Sequence, residues 1–148
     1  MNWTHKHFDQ LSLSELYQLL QLRAEVFVVE QNCPFNDLDG KDQHCYHLMC
    51  HQHDQLLAYT RIVPAGISYQ EVSIGRVLTS PLARKNGLGK ELMRRSIDLC
   101  YGKYGKQNIK IGAQLYLKNF YESLGFEQTS EIYLEDNIEH ILMILLAK

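Results

Sequence analysis

The sequence predicts a single-domain mixed α/β sheet with its elements in the order β-α-β-β-β-α-β-α-β-β. Three observations carry that expectation. Two long stretches repeat apolar residues at helical spacing. Short apolar or alternating runs of strand length lie between and after them, with glycine or proline at most junctions. The chain has 148 residues, one domain's worth and enough to enclose a core. It has no internal repeat, low-complexity tract or linker, so residues 1–148 read as one domain.

"NWTHKHF" (2–8) alternates and reads as a first strand. "SLSE" (12–15) matches a capping box, with Ser12 at the cap and Glu15 reaching back. Leu13, Leu16, Tyr17, Leu20, Ala24 and Phe27 then mark one face of a long helix. "NCPFNDLDGKDQ" (32–43) is a loop rich in turn residues. Strands follow at about 45–52 and 55–64, joined by a turn at 53–55, and at 70–80, where Pro81 ends the run. A second helix extends from Gly87 to Tyr104 on Leu88, Leu92, Met93, Ile97, Cys100, Tyr101 and Tyr104. Glu91–Arg95 and Arg94–Asp98 are spaced as i,i+4 pairs on its other face. A short strand (107–113), a helix (114–125) closed by Gly125 and two strands (126–135 and 139–147) complete the chain.

Apolar residues make up 45%, charged residues 22%, and the net charge is −2, a balance that does not favour nucleic acid as a partner. The polar start Met1–Asp9 lacks the apolar core of a signal peptide. The longest apolar run, "ILMILLA" (141–147), is far below the roughly 18 residues that span a bilayer. Cys33, Cys45, Cys50 and Cys100 are irregularly spaced, as in reduced thiols of a cytoplasmic protein.

"HCYHLMCHQH" (44–53) invites a metal reading. On a strand, Cys45, His47, Met49, His51 and His53 share one face and His44, Tyr46, Leu48 and Cys50 the other. Residues strung out at about 3.3 Å per step do not close on one ion 2.0–2.3 Å away. The spacing also misses the paired knuckle of structural zinc sites. The expectation is a half-buried strand with exposed histidines and no metal.

"RVLTSPLARKNGLGKEL" (76–92) carries more. A strand ends, a short connection follows, and Arg84-x-x-Gly87-x-Gly89 opens a helix. Unpaired N–H groups and the positive dipole end suit an anion there. The glycines allow close backbone approach, and Arg84, Lys85 and Lys90 add charge. A Walker A loop is excluded, because Glu91 follows Gly89-Lys90 where Ser or Thr is needed. The dinucleotide fingerprint fails at Leu92, where its third glycine belongs.

This stretch resembles the [RQ]-x-x-G-x-[GA] motif of the GNAT acetyltransferase superfamily. "LKNFYESLGFEQ" (117–128) resembles that family's second motif, in order and about 30 residues on. "LRAEVFVVEQNCPFNDLDGKDQ", "IGRV", "AQLYLKNFYESLGF" and "EDNIEHILMI" together resemble its ElaA-like branch, over roughly residues 13–145. Asn137 and Glu139 stand where that branch has Gly and Pro. Asn tolerates the left-handed conformation such a turn needs.

The resemblance implies a GNAT-type acyl-CoA N-acyltransferase fold and acetyl transfer from acetyl-CoA to a primary amine in a ternary complex, with no metal. It implies that the amides of Arg84, Lys85, Asn86, Gly87, Leu88, Gly89 and Lys90 hold the pyrophosphate. The backbone of Val77, Leu78 and Thr79 would pair with pantetheine as an added strand does. Tyr121 in "FYESLGF" would be the general acid, since a phenol near pKa 10 stays protonated at neutral pH. Asn119 is placed beside the cofactor, although on a helix it lies about 200° from Tyr121 and cannot share its face. The attacking amine must be neutral, so a base is needed. Glu30, Glu71 and His140 are candidates. Cys33 would permit a nucleophile, which the superfamily's direct transfer does not require. The acceptor is a small-molecule, peptide or protein amine, and the acidic "NDLDGKD" loop hints at a cationic one. The chain would be a monomer or homodimer. A non-catalytic acyl-CoA-binding domain and a small metal-binding protein are the rival readings.

Overall fold

The structure is a computed structural model that describes residues 1–84 and 86–148. Its strands are β1 (Asn2–His7), β2 (Tyr46–Gln52), β3 (Gln55–Val63), β4 (Ser73–Thr79), β5 (Ile109–Gln114), β6 (Glu127–Gln128), β7 (Tyr133–Glu135) and β8 (Ile138–Leu145). The helices are α1 (Leu13–Arg23), α2 (Leu88–Tyr104) and α3 (Lys118–Glu122). The single strand expected over 126–135 is two short ones. Between them Ser130 Oγ receives the Leu142 N–H at 2.8 Å, a side chain standing in for a ladder partner. The helix expected over 114–125 is α3 preceded by a tight turn at Leu115–Leu117.

β1 to β4 form one antiparallel sheet in sequence order. β5, β8 and β6 form a second, with β7 also paired to β8. The two sheets meet at one parallel bridge, Val72–Ile109, where the Lys110 N–H donates to the Val72 carbonyl at 3.0 Å. Beyond that point β4 pairs only with β3, and β5 only with β8. The facing edges of β4 and β5 therefore part and leave backbone groups unpaired, the condition that favours an added strand.

Helices cover both faces of the first sheet. Leu19, Leu22 and Val26 of the first helix pack on Met49, Tyr59 and Leu78. Leu88 and Leu92 of α2 pack on Leu48, Cys50 and Ala58 from the other side. Each such buried side chain contributes about 1.5–3 kcal/mol. The buried stripe of α1 is thus one step round from the expected one, and Leu13 and Tyr17 lie in solvent. Arg23 explains the offset: it is fully buried within the stripe, held by carboxylates from the 37–42 loop. After Arg23 the helix continues as a wider π-helical segment over Ala24–Glu30.

The double cover also corrects the reading of residues 44–53. β2 is buried over most of its length, and His47 has no exposed surface. Its ring nitrogens lie 2.6 Å from the Tyr59 hydroxyl and 2.9 Å from the Asp42 carbonyl. The Cys45 thiol donates to the Lys41 carbonyl, and the His51 ring meets Gln18. Among the described residues no three His, Cys, Asp or Glu side chains converge as metal ligands would.

β4 carries a bulge. Tyr59 opposes Leu78, but Arg61 opposes Gly75, so Arg76 and Val77 face the single residue Thr60. The residue in the left-handed region is Arg76, at φ 51°, rather than its glycine neighbour. An L side chain pays about 1–2 kcal/mol there. The Arg76 guanidinium offsets this by bonding the Asp37 carboxylate at 2.7 Å and the Asp37 carbonyl at 2.9 Å. Two hairpins turn on paired left-handed residues, His53–Asp54 and Asp136–Asn137, the signature of two-residue type I′ loops. Asn137, at φ 65°, fills the role the sequence reading gave it.

Candidate active site

Where β4 and β5 part, the chain encloses a cleft of about 650 Å³. Ile74 to Thr79 form one wall, and Ile111, Gly112 and Gln114 the other. The π-helical end of the first helix, α3 and the β7–β8 turn close the remaining sides. A second hollow of about 420 Å³ shares Thr79, Arg84, Gly89 and Phe120 with the cleft and lies over the start of α2.

That start is built for an anion. Gly87 is the N-cap at φ 71°, a left-handed conformation natural to glycine, and it brings no side chain to cap the helix. The first intrahelical bond is Glu91 N–H to Gly87 carbonyl, so the Leu88, Gly89 and Lys90 amides stay unspent by the helix. Gly87, Leu88, Gly89 and Lys90 all line the hollow. Lys85 lies outside the described residues, and Asn86 is exposed beside it. The Arg84 guanidinium forms a two-pronged bridge to Glu30, at 2.8 and 2.6 Å, and touches the Thr79 carbonyl at 3.3 Å. That bridge lowers the Glu30 carboxyl's pKa and raises that of the guanidinium. Two residues assigned to different roles by sequence are therefore partners across the cleft mouth.

Deeper in, Tyr121 of α3 reaches the cleft with only 5% of its surface exposed. Phe120 and Phe126 contact its ring edge-on, at 5.2 and 5.9 Å. Its hydroxyl bonds to no described protein group, and burial, with a smaller contribution from Tyr116, pushes its pKa well above the usual phenol value. His140 of β8 also lines the cleft and is buried. Its Nδ1 lies 2.7 Å from the Ile138 carbonyl, an acceptor, so Nδ1 carries a hydrogen. Tyr133 stacks on the ring at 5.8 Å, and Glu135 lies 3.5 Å from Nε2.

The structure thus gathers Val77, Leu78, Thr79, Arg84, Gly89, Glu30, Tyr121 and His140 around one cleft. It leaves Asn119 on the exposed face of α3 and Glu71 outside. Phe120 takes the place expected of Asn119 and joins both hollows. Helical geometry explains the exchange, because Phe120 is one residue, about 100°, from Tyr121 and Asn119 is two. Cys33, whose thiol lies 3.1 Å from the Asp136 carbonyl, and the crossed amides of Gln31 and Gln114 also border the cleft. Cys33 was marked in the sequence only as a nucleophile that direct transfer does not require, and no signal marked Gln31 or Gln114.

The 37–42 loop needs a correction. Its carboxylates do not face an acceptor. Asp37 takes Arg23 and Arg76, Asp39 takes Arg61, and Asp42 takes both Arg23 and Arg61. The hint of a cationic acceptor drawn from "NDLDGKD" therefore fails at that loop.

A family model described as an acetyltransferase (GNAT) domain matches residues 17–147. The chain belongs to the GNAT acetyltransferase family. Protein ElaA of Escherichia coli is 42% identical over 145 residues, 97% of this chain and 95% of ElaA. Its crystal structure superposes at a TM-score of 0.91, covering 97% of each chain. An acyl-CoA N-acyltransferase from Pseudomonas aeruginosa is 44% identical at a TM-score of 0.92, covering 97% of this chain and 99% of that one. An aminoglycoside 6'-N-acetyltransferase complexed with coenzyme A shares the fold at 16% identity and a TM-score of 0.71. Among the described residues no helix is long and apolar enough to cross a membrane.

Proposed function

We propose that this GNAT protein transfers an acetyl group from acetyl-CoA to a primary amine, by direct attack with both substrates bound. The observation that carries the reading is the unpaired edge of β4 inside the cleft, with open α2 amides in the adjoining hollow and Tyr121 in the cleft lining. The pantetheine arm of coenzyme A would add to the Val77–Thr79 edge, and the coenzyme's pyrophosphate would meet the Gly87–Lys90 amides. Holding the thioester this way contributes by orientation.

Tyr121 stays protonated at any working pH and makes no bond within the described protein, so it is free to donate to the departing thiolate. His140 lines the same cleft with its Nδ1–H committed to Ile138, which leaves Nε2 as the atom to take a proton from the incoming ammonium. Glu30 is a weaker candidate for that task, because Arg84 occupies both its oxygens and lowers its basicity.

Calorimetric titration with acetyl-CoA and a thiol-release assay over a panel of amines test the reading. The wild type should bind acetyl-CoA and turn over at least one amine. Tyr121→Phe should keep the affinity and lose about 10²-fold in kcat, the lower range for a general acid. Binding without turnover on any amine would support an acyl-CoA-binding domain instead. Absence of binding would end the proposal.

A further inference from the structure

The charges that line the cleft do not balance. Arg76 is committed to Asp37 and Asp39, and Arg84 to Glu30. Glu135 and Asp136, on the β7–β8 turn, line the same cleft and meet no lysine or arginine among the described residues. The contact recorded for Glu135 is the 3.5 Å approach to His140 Nε2. The Asp136 side chain makes no described bond, although its backbone carbonyl receives the Cys33 thiol. The side of the cleft formed by the β7–β8 turn is therefore acidic.

A second observation points to a ligand there. Tyr121, 95% buried by its 5% exposure, turns an unbonded hydroxyl into this cleft. His140 lines the same space, with Nδ1 fixed by Ile138. Two polar groups ready for reaction thus share the cleft with two uncompensated carboxylates.

We infer that the acceptor is a small diamine, one amine reacting and a second cationic group held by Glu135 and Asp136. This rests on the acetyltransferase reading and names its substrate class. An aliphatic monoamine arrives as one ammonium, which His140 must deprotonate before attack. That proton then sits on His140, 3.5 Å from Glu135, and Asp136 faces no cation of the substrate. A diamine keeps one positive charge beside the two carboxylates throughout, an attraction that salt screens because Glu135 is exposed to solvent. The step balances. The acceptor nitrogen loses one proton to His140, attacks the thioester carbon, and forms the C–N bond as the C–S bond breaks. The thiolate takes the Tyr121 proton, and the nitrogen's second proton restores Tyr121. His140 returns its proton to water. The product amide carries one charge fewer than the substrate, so it is held less firmly.

The test compares 1,4-diaminobutane with butylamine, which matches its chain length and lacks the second charge. Thiol release with saturating acetyl-CoA gives kcat/KM for each. The wild type should prefer the diamine by about tenfold or more, and added salt should shrink that ratio. Glu135→Gln with Asp136→Asn should bring the ratio toward one. Asparagine tolerates the left-handed conformation at position 136, φ 50°, so the turn is retained. Calorimetry of diaminobutane into the coenzyme A complex gives a readout independent of turnover. It should show binding in the wild type that weakens several-fold in the double variant.

Equal use of the two amines by the wild type, or a ratio that survives the double substitution or high salt, would overturn the diamine assignment and leave acetyl transfer standing. If acetyl-CoA binds but neither these nor any other amine accepts, the acetyltransferase reading falls and the diamine assignment falls with it.

Discussion

Two acidic regions border the same half of this molecule and behave in opposite ways. Asp37, Asp39 and Asp42 are consumed by Arg23, Arg61 and Arg76, two of which are buried. Glu135 and Asp136 stand on a two-residue turn with no arginine or lysine partner among the described residues. In the sequence the first region looks like the charged surface and the second like an ordinary hairpin. Net charge in a stretch of sequence says little until the partners are counted. The first region holds three elements together, because its carboxylates tie α1, β3 and β4 to one loop. The second leaves its charge available to a ligand.

The largest effect expected from this contrast is on stability. Asp42 accepts from Arg23 at 2.8 Å and from Arg61 at 2.9 Å, and its removal leaves Arg23 Nη1 without that partner and Arg61 with Asp39 alone. Arg61 Nε already has no partner among the described residues, so the network has no slack there. Asp42→Ala should cost roughly 3–5 kcal/mol in urea unfolding, as for other broken buried ion pairs. Asp136→Asn should change stability by less than about 0.5 kcal/mol, as exposed substitutions do. Similar costs at the two positions would erase the distinction.

A smaller effect should appear with pH, because it turns on few protons. His47 lies beside Asp42, and burial holds its pKa below the usual histidine value despite the Asp42 carbonyl, with Arg23 and Arg61 adding to the lowering. Its contribution to stability is complete above the unfolded value near 6.5, declines as pH falls below it, and is gone once pH passes the folded value. Asp39 and Asp42 are also held below the carboxylate range. Their arginine hydrogen bonds outweigh a burial cost that acts the other way. Their contribution is complete above about pH 4 and is lost as pH falls through the folded values. Urea midpoints should therefore decline in two stages, first below about pH 6.5 and then below about pH 4. His47→Gln should remove the first stage and keep the second. A single decline in the wild type would show that His47 is not held neutral.

The same contrast explains what the sequence could disclose. R-x-x-G-x-G before a helix and the FYESLGF run are local patterns. It was their resemblance to a family's two motifs that named Gly87, Gly89 and Tyr121 together before any fold was known. The strand order was legible to within one break, where Ser130 interrupts 126–135 by a side-chain bond that periodicity does not record. The arginine network was not legible. Arg23 reads as a solvated helix residue unless the carboxylates 14 to 19 positions away are known to fold over it. The burial of β2 was missed for a related reason, since only the packing of two helices reveals that both faces are covered. Phe120 was legible in principle, because helical geometry already excluded Asn119 from the face of Tyr121.

The smallest expected effect tests the one ion pair at the cleft mouth that belongs to neither region. Glu30 and Arg84 are both exposed, so their bridge adds little to stability despite its two short bonds. Its consequence is for binding. While Arg84 faces Glu30, its guanidinium is unavailable to a pyrophosphate arriving over the α2 amides. Glu30→Gln should release it and tighten acetyl-CoA binding by about two- to fivefold, the scale of one exposed ion pair. Calorimetry reads that directly. If Glu30 were instead the base that deprotonates the amine, the same substitution would cut kcat and leave the acetyl-CoA affinity where it was. The two roles predict changes in different constants, and the orientation of Arg84 favours the first.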